Sequence, residues 1–279
     1  MNKVGILYHP MKEAAIPLAE RLEKFLKDKS ISTWVCSAWE VEEARALVNG
    51  TDIVLSIGGD GTILRAAQAI VPEPTPITGI NLGNLGFLTE LSVEEAEDKL
   101  ELLLAGEGWI DERYLLQAEL SFGNDEQKQP QKFYALNDVV VARGEVARVV
   151  YVEAIVNGES LTTYKADGII VATATGSTGY ALAAGGPILH PQVEELLLAP
   201  ITPHLSSTYS LVIPSSAEVK LCLHRSHTAN LSVDGHINLP VSEGAVVTVK
   251  HSQRTVRFLR IHPRDAFYGS LEQRLKGKQ

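Results

Sequence analysis

Two cysteines, Cys36 and Cys222, are all that the 279 residues contain. Neither has a cysteine or histidine partner at zinc-ligand spacing, so a zinc site is not expected and buried free thiols are. Excess positive charge is absent too: 25 Lys and Arg against 34 Asp and Glu leave a net charge of −9. That argues against a general nucleic-acid surface and leaves room for a local basic pocket. The uncharged stretch 168–191 is broken by glycine and hydroxyl residues and does not read as a membrane span. The apolar run at the start, Val4-Gly5-Ile6-Leu7-Tyr8, is too short for a signal peptide. The expectation is a cytoplasmic protein with neither nucleic acid nor membrane as a partner. Two common nucleotide motifs are missing as well. No G-x-G-x-x-G follows the first strand, and no P-loop ending in Gly-Lys-Ser/Thr occurs. Internal repeats and low-complexity segments are also absent.

What is present is concentrated in a few turns. Ser56-Ile57-Gly58-Gly59-Asp60-Gly61-Thr62 follows Asp52-Ile53-Val54-Leu55, which reads as a buried strand. It precedes Ile63-Leu64-Arg65-Ala66-Ala67-Gln68-Ala69-Ile70, which reads as a helix with Thr62 as its N-cap. A strand handing over to a helix offers unpaired backbone N–H groups and the positive end of the helix dipole, both suited to phosphate. Gly59 and Gly61 let a phosphate approach the backbone, and Arg65, one helical turn on, can face the same place. Asp60 is the odd member, because a carboxylate repels phosphate unless it works on a hydroxyl or a metal ion. The plainer reading is a tight turn with Asp60 as a capping residue, and Arg65 a solvated helix residue.

With 45% apolar residues the chain can bury a sizeable core. Up to about residue 110 strands alternate with helices: strands at 4–8, 31–36, 53–57 and 76–81, helices around 17–26 and 40–48, and a capping box at Ser92-Val93-Glu94-Glu95 opening another. That pattern predicts an open, mostly parallel sheet. From Tyr114 onward the signal is all β, with hairpins expected at Asn157-Gly158 and Asp234-Gly235 and short strands at 209–213, 219–223, 231–233 and 246–250. Residues 193–198 read as a short helical piece. The division is an α/β domain over 1–110, an all-β two-sheet domain over 111–250, and a C-terminal segment over 251–279.

A second glycine-rich motif runs Asp167-Gly168-Ile169-Ile170-Val171-Ala172-Thr173-Ala174-Thr175-Gly176-Ser177-Thr178-Gly179-Tyr180-Ala181-Leu182-Ala183-Ala184-Gly185-Gly186-Pro187. Together with Asn81-Leu82-Gly83-Asn84-Leu85-Gly86-Phe87-Leu88, Asn137-Asp138 and the Gly-Gly-Asp-Gly-Thr turn, it closely resembles the NAD kinase family, over nearly the whole chain. The resemblance implies transfer of a phosphoryl group from ATP, or polyphosphate, to the 2′-hydroxyl of the adenosine ribose of NAD, with a divalent cation (magnesium or manganese). It implies Asp60 as the catalytic carboxylate, with metal ligation as its alternative role, and Gly59, Gly61 and Thr62 as the phosphate-facing turn. Asn137 and Asp138 would hold ribose and adenine, although many members carry Asn-Glu there. Lys165 and Asp167 would lie towards the nicotinamide end, often from a neighbouring subunit. Thr175, Thr178, Gly179, Tyr180, Ala181, Leu182 and Ala183 would line the adenosine. Arg148 and His236 are weaker candidates. The C-terminal segment would return to the first domain, and a homodimer or homotetramer is expected.

Two other functions share parts of this pattern. Related lipid kinases carry the same Gly-Gly-Asp-Gly-Thr turn, but no basic amphipathic helix is evident here. A non-catalytic NAD- or NADP-binding sensor could keep the pocket but would have no need of Asp60. A serine hydrolase is set aside, since Gly176-Ser177-Thr178-Gly179 is not the G-x-S-x-G elbow.

Overall fold

Strands buried along their whole length, rather than alternately, are the mark of a sheet covered on both faces. β3 (Ile53–Gly58) and β4 (Ile77–Asn81) have that pattern, and β1 (Lys3–Tyr8) has it between two half-buried ends. The computed structural model describes every residue except 84, 123–128, 145–147, 205–208, 225–227, 265 and 277–279. Asn84 of the asparagine–glycine run and most of the polar loop after β6 therefore lie outside the described residues. The chain divides into two compact units, Met1–Glu112 with Val256–Gln279, and Arg113–Thr255.

In the first unit the strands pair in parallel in the order β2 (Ser32–Ser37), β1, β3, β4, with the two-residue β5 (Leu91–Ser92) beside β4. Helix α1 (Ala15–Asp28) buries Leu18, Leu22 and Leu26, spaced four apart on one face. Pro17 sits in its first turn, where proline costs no hydrogen bond. Helices α2 (Val41–Leu47), α3 (Asp60–Ile70) and α4 (Ala96–Leu104) complete the α/β alternation. All three tryptophans of the chain belong to this unit. Trp34 fills the space beside Gly5, where an added Cβ would come within 2.2 Å of the indole, and its Nε1–H donates to Thr51 Oγ1 at 2.9 Å. Trp39 meets the His9 ring, and Trp109 Nε1–H donates to the His262 carbonyl at 2.8 Å.

The second unit is antiparallel throughout. β6 (Trp109–Phe122) enters it and pairs with β7 (Gln131–Ala135), and β8 (Asp138–Arg143) then passes into the other sheet. β9 (Val150–Val156) and β10 (Glu159–Ala166) form the Asn157-Gly158 hairpin, both turn residues at positive φ (52° and 85°) as this tight turn requires. β11 (Gly168–Ala172) leads into a short 3₁₀ turn at Thr175–Thr178 and the one-turn α5 (Tyr180–Ala183). β12 (Leu196–Ile201), β13 (Leu211–Ile213), β14 (Glu218–His224), β15 (Ala229–Val233), β16 (Ile237–Val241) and β17 (Ala245–Arg260) follow. One sheet runs β13-β12-β11-β8-β15-β16; the other contains β10-β9-β14-β17. Inward residues such as Leu116, Val139, Val152, Ile169, Leu198, Leu221, Leu231 and Val247 form one shared core.

The end of β17 belongs to the first unit, where Phe258 pairs in parallel with Ile77, and α6 (Ala266–Lys276) follows it. No helix among the described residues is long and apolar enough to cross a membrane.

Three local expectations are corrected. Residues 193–198 are not helical: Leu196 to Leu198 begin β12, held between β11 and β13 with every residue buried. A short apolar run carries no period of its own, and its sheet neighbours decide. Thr62 is not the N-cap of α3. Gly59 is, in extended conformation, and its carbonyl accepts from Thr62 N–H at 2.9 Å, which leaves Asp60 in the first turn where a carboxylate suits the helix dipole. The Ser92 box forms only its glutamate half. Glu95 Oε1 accepts from Ser92 N–H at 2.8 Å, but α4 starts after Glu95.

Candidate active site

The register of the parallel sheet sets Gly58 opposite Asn81, so the turn after β3 and the loop after β4 start side by side at the strands' carboxyl ends. This is the crevice that open α/β sheets use for ligands. Asp60 crosses it. Its Oδ2 accepts from Phe87 N–H at 2.9 Å and its Oδ1 from Leu88 N–H at 3.0 Å. A carboxylate has about four lone-pair positions, so two such bonds fix its plane and leave acceptor capacity for a substrate hydroxyl. Gly86 lets this happen, because a Cβ there would lie 2.1 Å from Asp60 Oδ1.

The other glycines of the turn separate packing from function. A Cβ on Gly58 would strike Thr62 Oγ1 at 2.1 Å, so packing itself requires that glycine. A Cβ on Gly59, Gly61 or Gly83 would meet nothing within 4 Å, and none of the three has positive φ. The protein's own packing does not need them to be glycine; a ligand lying against the backbone would. Thr62 Oγ1 is buried and has no hydrogen-bond partner among the described residues. Arg65 stacks on Trp39, its guanidinium carbon 4.2 Å from the ring centroid, so it is not simply solvated. Behind the loop, Arg260 is buried with Glu90 and Asp111 (Nη1 to Oε2 3.2 Å, Nε to Oδ2 3.3 Å) and donates to the Leu88 carbonyl at 2.8 Å. Sequence reading missed these three. Their spacings of 21 and 149 residues carry no local signal.

In the second unit Asn137 and Asp138 stand where the chain leaves β7 for β8. A buried carboxylate organises that crossing: Asp234 accepts from Leu136 N–H at 2.8 Å, Asn137 N–H at 2.7 Å and Asp138 N–H at 3.1 Å. Asp234 reads in the sequence as one half of a hairpin turn; its role as an anchor appears only in space. Thr173 Oγ1 donates to the Leu136 carbonyl at 2.6 Å and accepts from Gly176 N–H at 3.0 Å, tying the second glycine motif to the same crossing. Gly176 permits the contact, since its Cβ would fall 2.1 Å from the Asn137 carbonyl oxygen. Gly179 lies close by, its Cβ position 3.4 Å from Asn137 Nδ2. Asn137 Oδ1 is buried with no hydrogen-bond partner among the described residues, an acceptor that a ligand could satisfy.

Burial, and then the Asp234 carboxylate, push the Asp138 carboxyl up to about 7. The folded chain therefore keeps a proton that an unfolded aspartate releases near ~3.9. The folded state binds more protons between those values, so this group's contribution to stability falls as pH rises from about 4 to about 7 and levels off above. Asp138→Asn should remove that slope. The check is the urea midpoint of parent and variant from pH 4 to 8, with the parent losing stability relative to the variant as pH rises.

The remaining expected residues fall in three places. Thr175, Thr178, Gly179, Tyr180, Ala181, Leu182 and Ala183 form the 3₁₀ turn and α5 beyond β11; Thr175 Oγ1 accepts from Arg113 Nη1 at 3.2 Å, and Tyr180 is exposed. Ser177 is fully buried, donating to the Ala174 carbonyl and accepting from Leu189 N–H, a structural role. His236 lies by the Asp234 turn, its Nδ1 3.1 Å from the Asp234 carbonyl oxygen. Asp167 lies at the opposite end of β11 from Thr173, six residues or about 20 Å of extended chain away, and Lys165 is near the end of β10. There Asp167 Oδ1 pairs with Arg143 Nε at 3.4 Å. Arg148 is exposed before β9. Within one chain, then, Asn137, Asp138 and the Thr175–Thr178 turn come together, whereas Lys165 and Asp167 do not join them.

Comparison with known proteins gives the family. The ATP-NAD kinase N-terminal domain matches residues 28–108 and the ATP-NAD kinase C-terminal domain matches residues 136–261. An NAD kinase of Dehalococcoides mccartyi (strain CBDB1) is 48% identical over 276 residues, covering 99% of this chain and 96% of that protein. One from Chloroflexus aurantiacus is 40% identical, covering 99% of each. Among solved structures, yeast NADH kinase complexed with NADH superposes with a TM-score of 0.84 at 25% identity, over 98% of this chain and 87% of that one. An NAD kinase from Archaeoglobus fulgidus in complex with ATP gives 0.79 at 27% identity, over 97% and 99%. With both domain models in order along the chain and relatives at this identity over its whole length, the chain belongs to the NAD kinase family.

Proposed function

We infer that the chain transfers the terminal phosphoryl group of ATP, taken as its magnesium or manganese complex, to the 2′-hydroxyl of the adenosine ribose of NAD. The observation that carries this reading is the Asp60 carboxylate, held by two backbone amides in the first turn of α3 beside two glycines that packing does not require. Asp60 accepts the hydroxyl proton, the ribose oxygen attacks the γ-phosphorus, and the bridging oxygen leaves with ADP. Gly59, Gly61 and Thr62 face the phosphates, while Asn137 Oδ1 and Asp138 take the nucleoside. The described residues include no cluster of three metal-ligating side chains, which suits an ion that arrives on the nucleotide's own phosphates.

The distance along β11 supports a homodimer or homotetramer. Asp167 lies about 20 Å of extended strand from the Asn137 crossing, a separation that a neighbouring copy bringing its own Lys165 and Asp167 to the nucleotide would close. The test is incubation of purified protein with NAD, ATP and magnesium, with NADP read by enzymatic cycling and polyphosphate and a lipid acceptor run alongside. NADP formation is expected from the assembled oligomer. Phosphorylation of the lipid instead, or NAD binding without NADP, would overturn the reading.

A further inference from the structure

The amide that holds Asp60 is itself held from behind. The Gly86–Phe87 peptide presents its N–H to Asp60 Oδ2 at 2.9 Å and its carbonyl oxygen to Arg274 Nη1 at 2.5 Å. One planar unit thus lies between a guanidinium and a carboxylate. A cation at the oxygen and an anion at the hydrogen polarise an amide in the same sense, so each bond strengthens the other. Arg274 is set for this contact: its Nε donates to Ser270 Oγ, one turn earlier on α6, at 2.8 Å, and its guanidinium lies 5.9 Å from the Phe87 ring centroid. Arg260 holds the next part of the loop, donating to the Leu88 carbonyl of the following peptide. Gly86 N–H donates to Thr89 Oγ1 at 3.0 Å, which closes the loop on itself. Every link lies within the first unit.

From this chain of contacts we propose that Arg274, on the C-terminal helix, is a positioning residue for Asp60, acting through the Gly86–Phe87 peptide. The proposal rests on Asp60 being the group that takes the ribose proton. Arg274 does not touch substrate; it sets the strength and direction of the N–H that fixes the carboxylate plane. Its loss should therefore appear in the chemical step and leave nucleotide binding alone.

Arg274→Ala is the direct variant. Amide-resolved hydrogen exchange by NMR should show Phe87 N–H losing protection at least about tenfold, while the amides of α1 and β3 are unchanged. Steady-state kinetics should show kcat down about tenfold with KM for NAD and ATP within about twofold, as expected when a catalytic group is misplaced and binding is untouched. Arg274→Lys keeps a cation able to reach the Gly86 carbonyl and should recover most of kcat; Arg274→Met, apolar and of similar length, should not. In an Asp60→Asn background, Arg274→Ala should lower kcat no further. Unchanged Phe87 exchange in Arg274→Ala overturns the proposal whatever the activity. So does equal recovery by Met and Lys, which would mean that the arginine only packs α6. A parent protein that makes no NADP would overturn the kinase reading, and the exchange measurement would still decide whether Arg274 holds the loop.

Discussion

Asp60→Asn should lower kcat by at least ~100-fold, the lower range for removal of a general base. The same variant should change NAD affinity by calorimetry by less than about tenfold, or ~1.4 kcal/mol. The asymmetry follows from position. An anion in the first turn of α3, beside glycines open to phosphate, does nothing for ground-state phosphate binding. Its contribution appears as the hydroxyl gives up its proton. The amide differs from the carboxylate in a second way: it offers one acceptor oxygen where Phe87 N–H and Leu88 N–H need two. One loop amide is left facing an NH₂ group, which should cost about 1–3 kcal/mol of stability. A lower melting temperature should therefore accompany the kinetic loss. Turnover near the parent rate would show that Asp60 is not the base. Complete loss of NAD binding would make it a ligand for the nucleotide or its metal ion.

Asp234→Ala should be the most damaging single change in the second unit. It strips three backbone N–H groups of their acceptor at once, in a site closed to water. Each orphaned donor costs about 1–3 kcal/mol and such losses add imperfectly, so an expected total is ~3–5 kcal/mol. Because two of those donors are the amides of Asn137 and Asp138, NAD affinity should fall more than tenfold along with stability. Asp234→Asn keeps the oxygen that accepts from Asn137 and Asp138 and gives up the one that accepts from Leu136, so it should fall between parent and alanine. The measurements are urea unfolding and calorimetric titration with NAD. An alanine variant as stable as the parent and binding NAD as tightly would remove Asp234 from its anchoring role.

These residues mark where sequence reasoning ended. The parallel sheet was legible because short apolar strands alternate with amphipathic helices up to about residue 110, and glycine-rich turns follow β3 and β4. The two hairpins were legible because Asn-Gly and Asp-Gly occupy positive φ. Asp60 was legible because glycines surround it at a strand-to-helix change. Asp234, Arg260, Glu90 and Arg274 were not. Each acts through a backbone group 97, 172, 171 or 188 positions away, and nothing in its own neighbourhood distinguishes it from a turn or surface residue. The residues named first would touch substrate, and the local composition around them is unusual for that reason. The residues that hold them are ordinary in sequence and unusual only in where the fold carries them. The strand at 196–201 failed on the same ground, since burial between two neighbours, and no internal period, makes it a strand.

The placement of Trp34, Trp39 and Trp109 gives the molecule a built-in optical label on one half. Light absorbed and re-emitted by indole reports on Met1–Glu112 and the returning segment, and on none of Arg113–Thr255, which holds no tryptophan. Infrared absorption by antiparallel amide groups draws mainly on the strands of that silent half, whereas α1, α2, α3, α4 and α6 all belong to the half that carries the indoles. An unfolding curve followed by emission and one followed by infrared absorption thus watch different portions of one polypeptide. Where the two curves coincide the portions melt together, and where they separate, the gap measures how independently each portion stands.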